Sequence, residues 1–217
     1  MIEMRSDLRQ HIRTNLDLVF ERTLDLSPEI KEEVGRLDEQ SYPWTTSGYN
    51  PLTSDSFYNG MHKIFTSWDK GQWVNPLAEK IYPYCVEEFK TIDPEAKDFE
   101  IVRVILNCTS NDGKMSAASI HQDSPSLDHW SFLLYLKGTS GNTDFNQSLT
   151  DISIAKTIDF QPFNLVIFPS SYAHQGLLPV DKEPRFVLNY IVRVNTKLKD
   201  RVLDASSHLL RKLYVTD

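Results

Sequence analysis

Short runs of β-branched and aromatic residues fill the second half of the chain and restrict the folds that it can adopt. Runs typical of strands lie at 100–106, 129–136, 152–160, 164–168 and 185–194. Turn-forming segments separate several of these runs and lie at 110–113, 138–142 and 181–184. Strands at intervals of roughly 8–12 residues are typical of a sandwich or jelly roll, whereas a parallel sheet needs a crossover between successive strands. We therefore expect a β core from about residue 98 onward.

Residues 1–95 show a different pattern and are expected to be mostly helical. Apolar residues recur on one helical face in the segments 8–19 and 77–89. Ser27 precedes a proline and a glutamate, which is typical of a helix N-cap followed by a first turn. Pro83 lies inside the second segment and is expected to kink the helix there.

The chain shows no internal repeat, low-complexity tract or linker, and we expect a single domain over 1–217. Within it, 1–95 is expected to form a helical support region and 96–195 the β core. The remaining residues, 196–217, are expected to form a C-terminal helix, because apolar residues between 201 and 213 are spaced for packing along one face.

The charge balance of the chain bears on which molecules it can bind. The formal net charge of −7 and the pI of about 5.4 weigh against a nucleic-acid partner. The sequence lacks an apolar run long enough to cross a membrane and an apolar signal segment, so no membrane association is expected. Cys85 and Cys108 are too few for a disulfide framework or a thiolate metal site, and a cytoplasmic location is expected. The oligomeric state cannot be read from these patterns.

Three residues with metal-ligating side chains stand near predicted strand ends. His121 and Asp123 follow a short apolar segment, 117–120, and side chains two apart in an extended segment point to the same face. His174 follows the apolar run 164–168 after a short turn. Two histidines and one carboxylate form the ligand set that holds a non-haem iron on one side and leaves other positions open. Each residue alone is equally compatible with a polar loop.

Arg185 begins the last apolar run, eleven positions after His174. An arginine that points into a β core needs a partner, because burying an unpaired charge is costly, and its planar guanidinium matches a carboxylate bidentately. Taken alone, Arg185 is better interpreted as an exposed arginine at a strand start that pairs with Asp181 or Glu183.

The motifs around these residues resemble a known enzyme family. The segments at 138–145 and 168–176, and a Pro-Val pair followed after four residues by Arg185, are similar to the 2-oxoglutarate/Fe(II)-dependent dioxygenase superfamily and most similar to its prolyl-hydroxylase-like branch. The resemblance covers roughly 98–195. It implies an α+β fold, in which N-terminal helices and a C-terminal helix buttress a double-stranded β-helix, or cupin-like jelly roll, that forms the catalytic core.

The resemblance also implies roles for individual residues. His121, Asp123 and His174 would bind Fe(II) and carry the catalysis, and Arg185 would bind the distal carboxylate of the cosubstrate 2-oxoglutarate. With O2 as the second cosubstrate, the reaction would hydroxylate a C–H bond and release succinate and CO2. An aspartate at position 123 accords with hydroxylation, because its loss in the family goes with halogenation.

One position departs from the family pattern. Many members carry Ser or Thr two residues after the arginine as a second carboxylate contact, and this chain has Val187. We expect the second contact to come from Tyr135, although a core tyrosine is an equally good interpretation. Asn107 is a further candidate for cosubstrate binding, and Arg103 could also face the cleft.

The substrate and the competing functions stay open at this point. A peptidyl proline and a small metabolite are both compatible with the resemblance. The alternatives are a non-catalytic jelly-roll binding module and a cupin-type metalloenzyme that does not use 2-oxoglutarate. A nucleic-acid demethylase of the same superfamily is disfavoured by the acidic balance.

Overall fold

The computed structural model describes residues 12–46, 62–111 and 119–202, with the side chains of residues 46 and 62 left out. The helical elements are a 3-10 turn at Leu16–Leu18, α1 at Pro28–Gly35 and α2 at Pro76–Ile92. The strands are β1 Phe20–Thr23, β2 Thr45–Thr46, β3 His62–Thr66, β4 Trp68–Asp69, β5 Gln72–Trp73, β6 Lys97–Thr109, β7 His129–Lys137, β8 Thr143–Asn146, β9 Ile154–Ile158, β10 Asn164–Pro169, β11 His174–Gly176 and β12 Arg185–Asn195.

Antiparallel pairing joins ten of these strands into two sheets. The larger sheet has the order β1-β10-β7-β12-β6-β3-β2, and the smaller sheet has the order β11-β8-β9. Strands β4 and β5 form a separate pair. The five predicted runs correspond to β6, β7, β9, β10 and β12, so the predicted antiparallel β core is confirmed. Strands β7 and β12 are buried along nearly their whole length because they lie at the centre of the larger sheet.

The long strand β6 separates two environments by simple alternation. Val104, Leu106 and Cys108 are buried in the apolar core. The intervening Ile105 and Asn107 face a cavity on the other side of the sheet. Side chains two apart point to the same face of a strand, so β6 presents one row to the core and one row to the cavity.

Helix α2 covers the core face of the larger sheet. Asn75 caps its first turn by accepting hydrogen bonds from the amides of Leu77 and Ala78 at 3.1 and 3.3 Å. The ring of Phe89 packs edge-on against Trp130 of β7, with 5.0 Å between the ring centroids. At the other end, the Tyr190 hydroxyl donates to the carbonyl of Ala78 at 2.8 Å. The helix continues through Pro83 to Ile92, so the helix predicted around 77–89 is confirmed.

The described part of 1–95 is mixed and not mostly helical. The helix predicted for 8–19 is wrong over residues 12–19: Asn15 caps a single 3-10 turn, and the chain then enters β1. Leu16 belongs to the predicted apolar face but is 41% exposed, and Leu18 is buried instead, so the helical spacing does not define one buried face. Pairing with β10 then satisfies the backbone groups of residues 20–23. Ser27 does cap α1, as predicted.

Two further expectations concern the end of the chain and the Gly-rich segment. A helix begins at residue 198 and is described to residue 202, and the rest of the predicted C-terminal helix lies outside the described residues. Strand β8 was not predicted, because its polar sequence follows a turn-forming segment. Its burial between β11 and β9 explains why a polar segment forms a strand here. Among the described helices, none is long and apolar enough to cross a membrane.

The Phe89 contact predicts a large contribution to stability. Phe89→Ala removes a fully buried ring that packs against Phe99, Trp130 and Phe132. We expect the free energy of unfolding to fall by about 3–5 kcal/mol in a denaturant titration. The control is Val180→Ala, because Val180 is 87% exposed and its truncation should change stability by less than about 0.5 kcal/mol. Equal effects of the two substitutions would contradict the assigned packing.

Candidate functional site

The three residues with metal-ligating side chains come together at one edge of the cavity. One ligand atom from each of His121, Asp123 and His174 lies within 4.8 Å of the other two. The Nε2 atom of His121 is 3.9 Å from Oδ1 of Asp123, and Nε2 of His174 is 3.7 Å from Oδ2. Two nitrogen atoms and one carboxylate therefore converge from two segments that are far apart in the chain.

An isolated antiparallel bridge holds the two histidines side by side. The amide of each donates to the carbonyl of the other at 2.9 Å. Residues 119 and 120 are not in a strand, and residues 112–118 lie outside the described part, so the expected strand before His121 is not seen there. Pairing with His174 supplies the extended geometry that a preceding strand was expected to give.

Hydrogen bonds to the backbone fix which nitrogen of each ring is free. Nδ1 of His121 lies 2.9 Å from the carbonyl oxygen of Ser119, and Nδ1 of His174 lies 3.0 Å from that of Tyr172. A carbonyl oxygen can only accept, so each Nδ1 carries a proton, and Nε2 is the nitrogen of each ring that faces Asp123. Backbone partners of this kind orient histidines that ligate metals.

Asp123 is a buried carboxylate with several donors. The Ser131 hydroxyl donates to Oδ2 at 2.7 Å, and the Asn189 amide lies 3.1 Å from each carboxylate oxygen. Burial is the largest single influence on its pKa and raises it, but His174, His121, the Ser131 hydrogen bond and Arg103 together lower the pKa below its ordinary value. Asp123 is therefore a charged acceptor near neutral pH.

Burial also keeps His174 neutral. The side chain is almost fully enclosed, and burial lowers its pKa to about 4, with a further contribution from the neighbouring His121. The charge of Asp123 acts in the opposite direction and does not restore the pKa. A neutral imidazole is the form that ligates a metal ion.

Arg185 lies at the far end of the cavity in a buried position. Its Nη1 donates to the carbonyl of Gly141, and it lies 3.4 Å from the carbonyl of Asn142. Its Nε has no hydrogen-bond partner, and no carboxylate among the described residues lies within ion-pair distance. Burial lowers the pKa of Arg185, but a guanidinium stays charged in proteins. The site therefore contains a buried cation that an anionic ligand would stabilise.

Two glycines make room for this guanidinium. A Cβ atom on Gly176 would lie 2.7 Å from Nη2 of Arg185, and one on Gly141 would lie 2.8 Å from its Cδ. Gly141 also has a φ of +101°, which side chains rarely allow. The turn-forming segment before β8 therefore shapes the pocket around Arg185.

A cavity of about 340 Å³ connects the two ends of the site. Asn107, Thr143 and Val187 line it together with the three metal-ligating residues and Arg185. Tyr135 does not line the cavity: its hydroxyl donates to Thr143 Oγ1 at 2.7 Å from behind. Thr143, which the sequence analysis did not single out, is thus one of two threonines that line the cavity near Arg185, together with Thr109.

Sequence reasoning also missed two residues that support Asp123. Ser131 and Asn189 are polar residues within otherwise apolar central strands. Burying an unpaired polar side chain is costly, so such an exception is itself a signal of a nearby partner. The partner could not be identified from the sequence, because it lies in the irregular loop before β7, and this loop is 66 residues away from Asn189 along the chain.

Comparisons with known proteins identify the fold of the chain but no sequence family. No protein-family model and no curated protein matches the chain. A solved structure of SnoN, described as a non-heme alpha ketoglutarate dependent epimerase from nogalamycin biosynthesis, aligns with a TM-score of 0.59 and 9% identity, covering 88% of this chain and 84% of SnoN.

Two further structures align over similar lengths. A prolyl hydroxylase from Trichoplax adhaerens, in complex with a hypoxia inducible factor peptide, gives a TM-score of 0.55 at 15% identity and covers 91% of this chain and 92% of its own. HygX from Streptomyces hygroscopicus, with nickel, 2-oxoglutarate and hygromycin B bound, gives 0.53 at 8% identity with 81% and 82% coverage. The double-stranded β-helix fold predicted from the resemblance is confirmed.

The support of Asp123 leads to a prediction on metal affinity. Asn189→Ala removes the amide that contacts both carboxylate oxygens, and we expect Fe(II) affinity to fall by roughly 10–100-fold, because partners that orient ligands contribute that much. Anaerobic titration with a competing chelator measures this change. Asn195→Ala is the matched control, because Asn195 lies on the same strand and contacts Asp98 on the surface. Unchanged affinity in the Asn189 variant would contradict the assigned support.

Proposed function

We propose that this protein is an Fe(II)- and 2-oxoglutarate-dependent dioxygenase that hydroxylates a C–H bond and releases succinate and CO2. The observation that carries the proposal is the shared cavity: the cluster of His121, Asp123 and His174 lies at one part of it, and the buried cation of Arg185 lies at another. A non-catalytic binding module would not require both a metal-ligand cluster and a buried arginine. A cupin-type enzyme that does not use 2-oxoglutarate would provide no anion to pair with Arg185.

The donor set fits a ferrous ion. Two imidazole nitrogens and one carboxylate, all facing one point, match the ligand set of non-haem iron oxygenases and leave positions for a cosubstrate. When bound, iron and 2-oxoglutarate would supply the O2-dependent chemistry. The protein residues would orient the reactants and exclude water around them.

The residues around Arg185 fit the distal carboxylate of 2-oxoglutarate. The guanidinium would donate to that carboxylate, which supplies the missing negative charge. Because the Tyr135 hydroxyl already donates to Thr143 Oγ1, the Thr143 hydroxyl proton is free to point into the cavity. Burial raises the pKa of Tyr135 to about 12, so its phenol stays a donor. We therefore assign the second carboxylate contact to Thr143, with Tyr135 behind it, in the place that Val187 cannot fill.

The solved structures with this fold support the cosubstrate and leave the substrate open. HygX was described with 2-oxoglutarate bound, and SnoN as alpha ketoglutarate dependent. The Trichoplax enzyme was described with a peptide, and HygX with hygromycin B. For this chain we propose a peptidyl proline or a small metabolite as the substrate, and Asn107 as a further residue of the cosubstrate pocket. A cytoplasmic location accords with the free, buried thiols of Cys85 and Cys108.

His174→Ala tests the function directly. Removing this ligand should abolish both iron retention after anaerobic gel filtration and succinate formation from 2-oxoglutarate. Gln175→Ala is the control, because Gln175 neighbours His174 in β11 but does not line the cavity. The same experiment includes anaerobic spectroscopy, in which Fe(II) plus 2-oxoglutarate should give a weak visible charge-transfer band in the unaltered protein and the Gln175 variant but not in the His174 variant. Normal turnover by the His174 variant would refute the proposal.

Gly176→Ala tests the Arg185 pocket without removing its charge. The added methyl would displace the guanidinium, because Nη2 lies 2.7 Å from the position of the new Cβ. We expect the 2-oxoglutarate concentration for half-maximal turnover to rise at least tenfold, by loss of about one charged hydrogen bond, while iron stays bound. Gly35→Ala is the matched control, because nothing lies within 4 Å of its added Cβ. An unchanged 2-oxoglutarate requirement would contradict the expected displacement of the guanidinium from the cosubstrate.

A further inference from the structure

A second arginine faces the cavity at the end opposite Arg185. Arg103 lies on β6 in the row that also contains Ile105 and Asn107, and it lines the same cavity. Strand β6 pairs with β12 so that Thr109 lies opposite Arg185, whereas Arg103 lies opposite Ile191. Six residues of strand, or about 20 Å, separate these two positions. One small cosubstrate held by Arg185 therefore does not need Arg103.

Arg103 has a weak ionic partner at present. Its Nη2 lies 3.5 Å from Oδ1 of Asp123, at the limit of hydrogen bonding, and its side chain is 45% exposed. The carboxylate of Asp123 already accepts hydrogen bonds from Ser131 and Asn189, and its remaining lone pairs face the two histidines. The other carboxylates among the described residues do not line the cavity.

The charges of the loaded site leave Arg103 uncompensated. This step rests on the proposed function: a ferrous ion with Asp123, and dianionic 2-oxoglutarate with Arg185, together carry no net charge. Arg103 then adds one positive charge beside the metal ligands, on a wall that otherwise presents apolar and neutral polar side chains such as Ile64, Leu133 and Gln122. A guanidinium in this position attracts and orients a planar anion.

We propose that Arg103 binds a carboxylate of the substrate, so that the substrate class is a carboxylate-bearing molecule. The carboxylate would lie across the guanidinium on the side away from Asp123, with the carbon atoms near it beside the metal ligands. Arg103 thereby determines both which substrate enters and which C–H bonds are within reach. A free amino or hydroxy acid and an acidic side chain of a peptide share this chemistry.

The test compares acids with their uncharged amides. Protein loaded with Ni(II) and 2-oxoglutarate, which does not turn over, is titrated calorimetrically with matched pairs. Free amino acids such as L-proline and L-leucine are paired with their carboxamides, and N-acetyl-glutamate amide is paired with N-acetyl-glutamine amide. We expect the acid of at least one pair to bind roughly ten- to hundredfold more tightly than its amide, because a hydrogen bond to a charged group contributes that much. The first pairs report a free acid and the last pair reports an acidic side chain.

Three variants assign this preference to Arg103. In Arg103→Gln the acid and the amide should bind equally, and in Arg103→Lys the preference should be partly retained, because lysine keeps the charge and loses the planar fork. Arg22→Gln is the matched control, because Arg22 is similarly exposed, at 41%, and does not line the cavity. Ni(II) content and 2-oxoglutarate binding are measured in every variant.

Several outcomes would overturn the inference. These are equal binding of acids and amides by the unaltered protein, absence of acid binding, or an Arg103→Gln variant that weakens acids and amides by the same factor. The last result would show that Arg103 only positions Asp123. Failure of the unaltered protein to bind 2-oxoglutarate would instead refute the proposed function, so the two failures are distinguishable.

Discussion

The buried charge of Asp123 is the constraint on which the rest of the site depends. A carboxylate taken out of water is costly unless donors and cations surround it. Here the donors come from Ser131 on β7 and Asn189 on β12, the two central strands of the larger sheet. The histidines come from two segments joined by a backbone bridge. Satisfying one charge therefore fixes the position of the loop relative to both central strands.

Sequence patterns predicted the β core well and the first part of the chain poorly. The runs that became β6, β7, β10 and β12 are rich in β-branched and aromatic residues. Strands β7, β10 and β12 are buried along most of their length and β6 on one face of its second half, so local preference and tertiary packing agree. In 12–19 they disagree, because a single 3-10 turn buries Leu18 and leaves Leu16 exposed, and the chain then pairs with β10 as the edge strand β1. Pairing between distant segments has no local signature, which is why β1 and β8 were not predicted.

Some residues of the candidate site could also be predicted from the sequence, whereas others could not. His121, Asp123, His174 and Arg185 were identifiable because their side chains have distinctive chemistry in a family-like order. Thr143 and Asn189 have ordinary side chains, and their importance comes from which residues lie beside them. Tyr135 shows the difference: its hydroxyl does not line the cavity but donates to Thr143, which does.

The backbone bridge between His121 and His174 has a consequence for folding. Among the described residues, this bridge is the backbone link between the loop before β7 and the smaller sheet. The Ser124 amide instead donates to the carbonyl of Ser170, which directly follows β10. A divalent ion shared by both segments would act as a cross-link that closes a long loop of the chain. Cross-links of this kind stabilise a fold by reducing the conformational freedom of the unfolded chain. Occupancy of the proposed metal site would thus control how readily the loop before β7 separates from the smaller sheet. It would link the supply of iron to the lifetime of the folded protein.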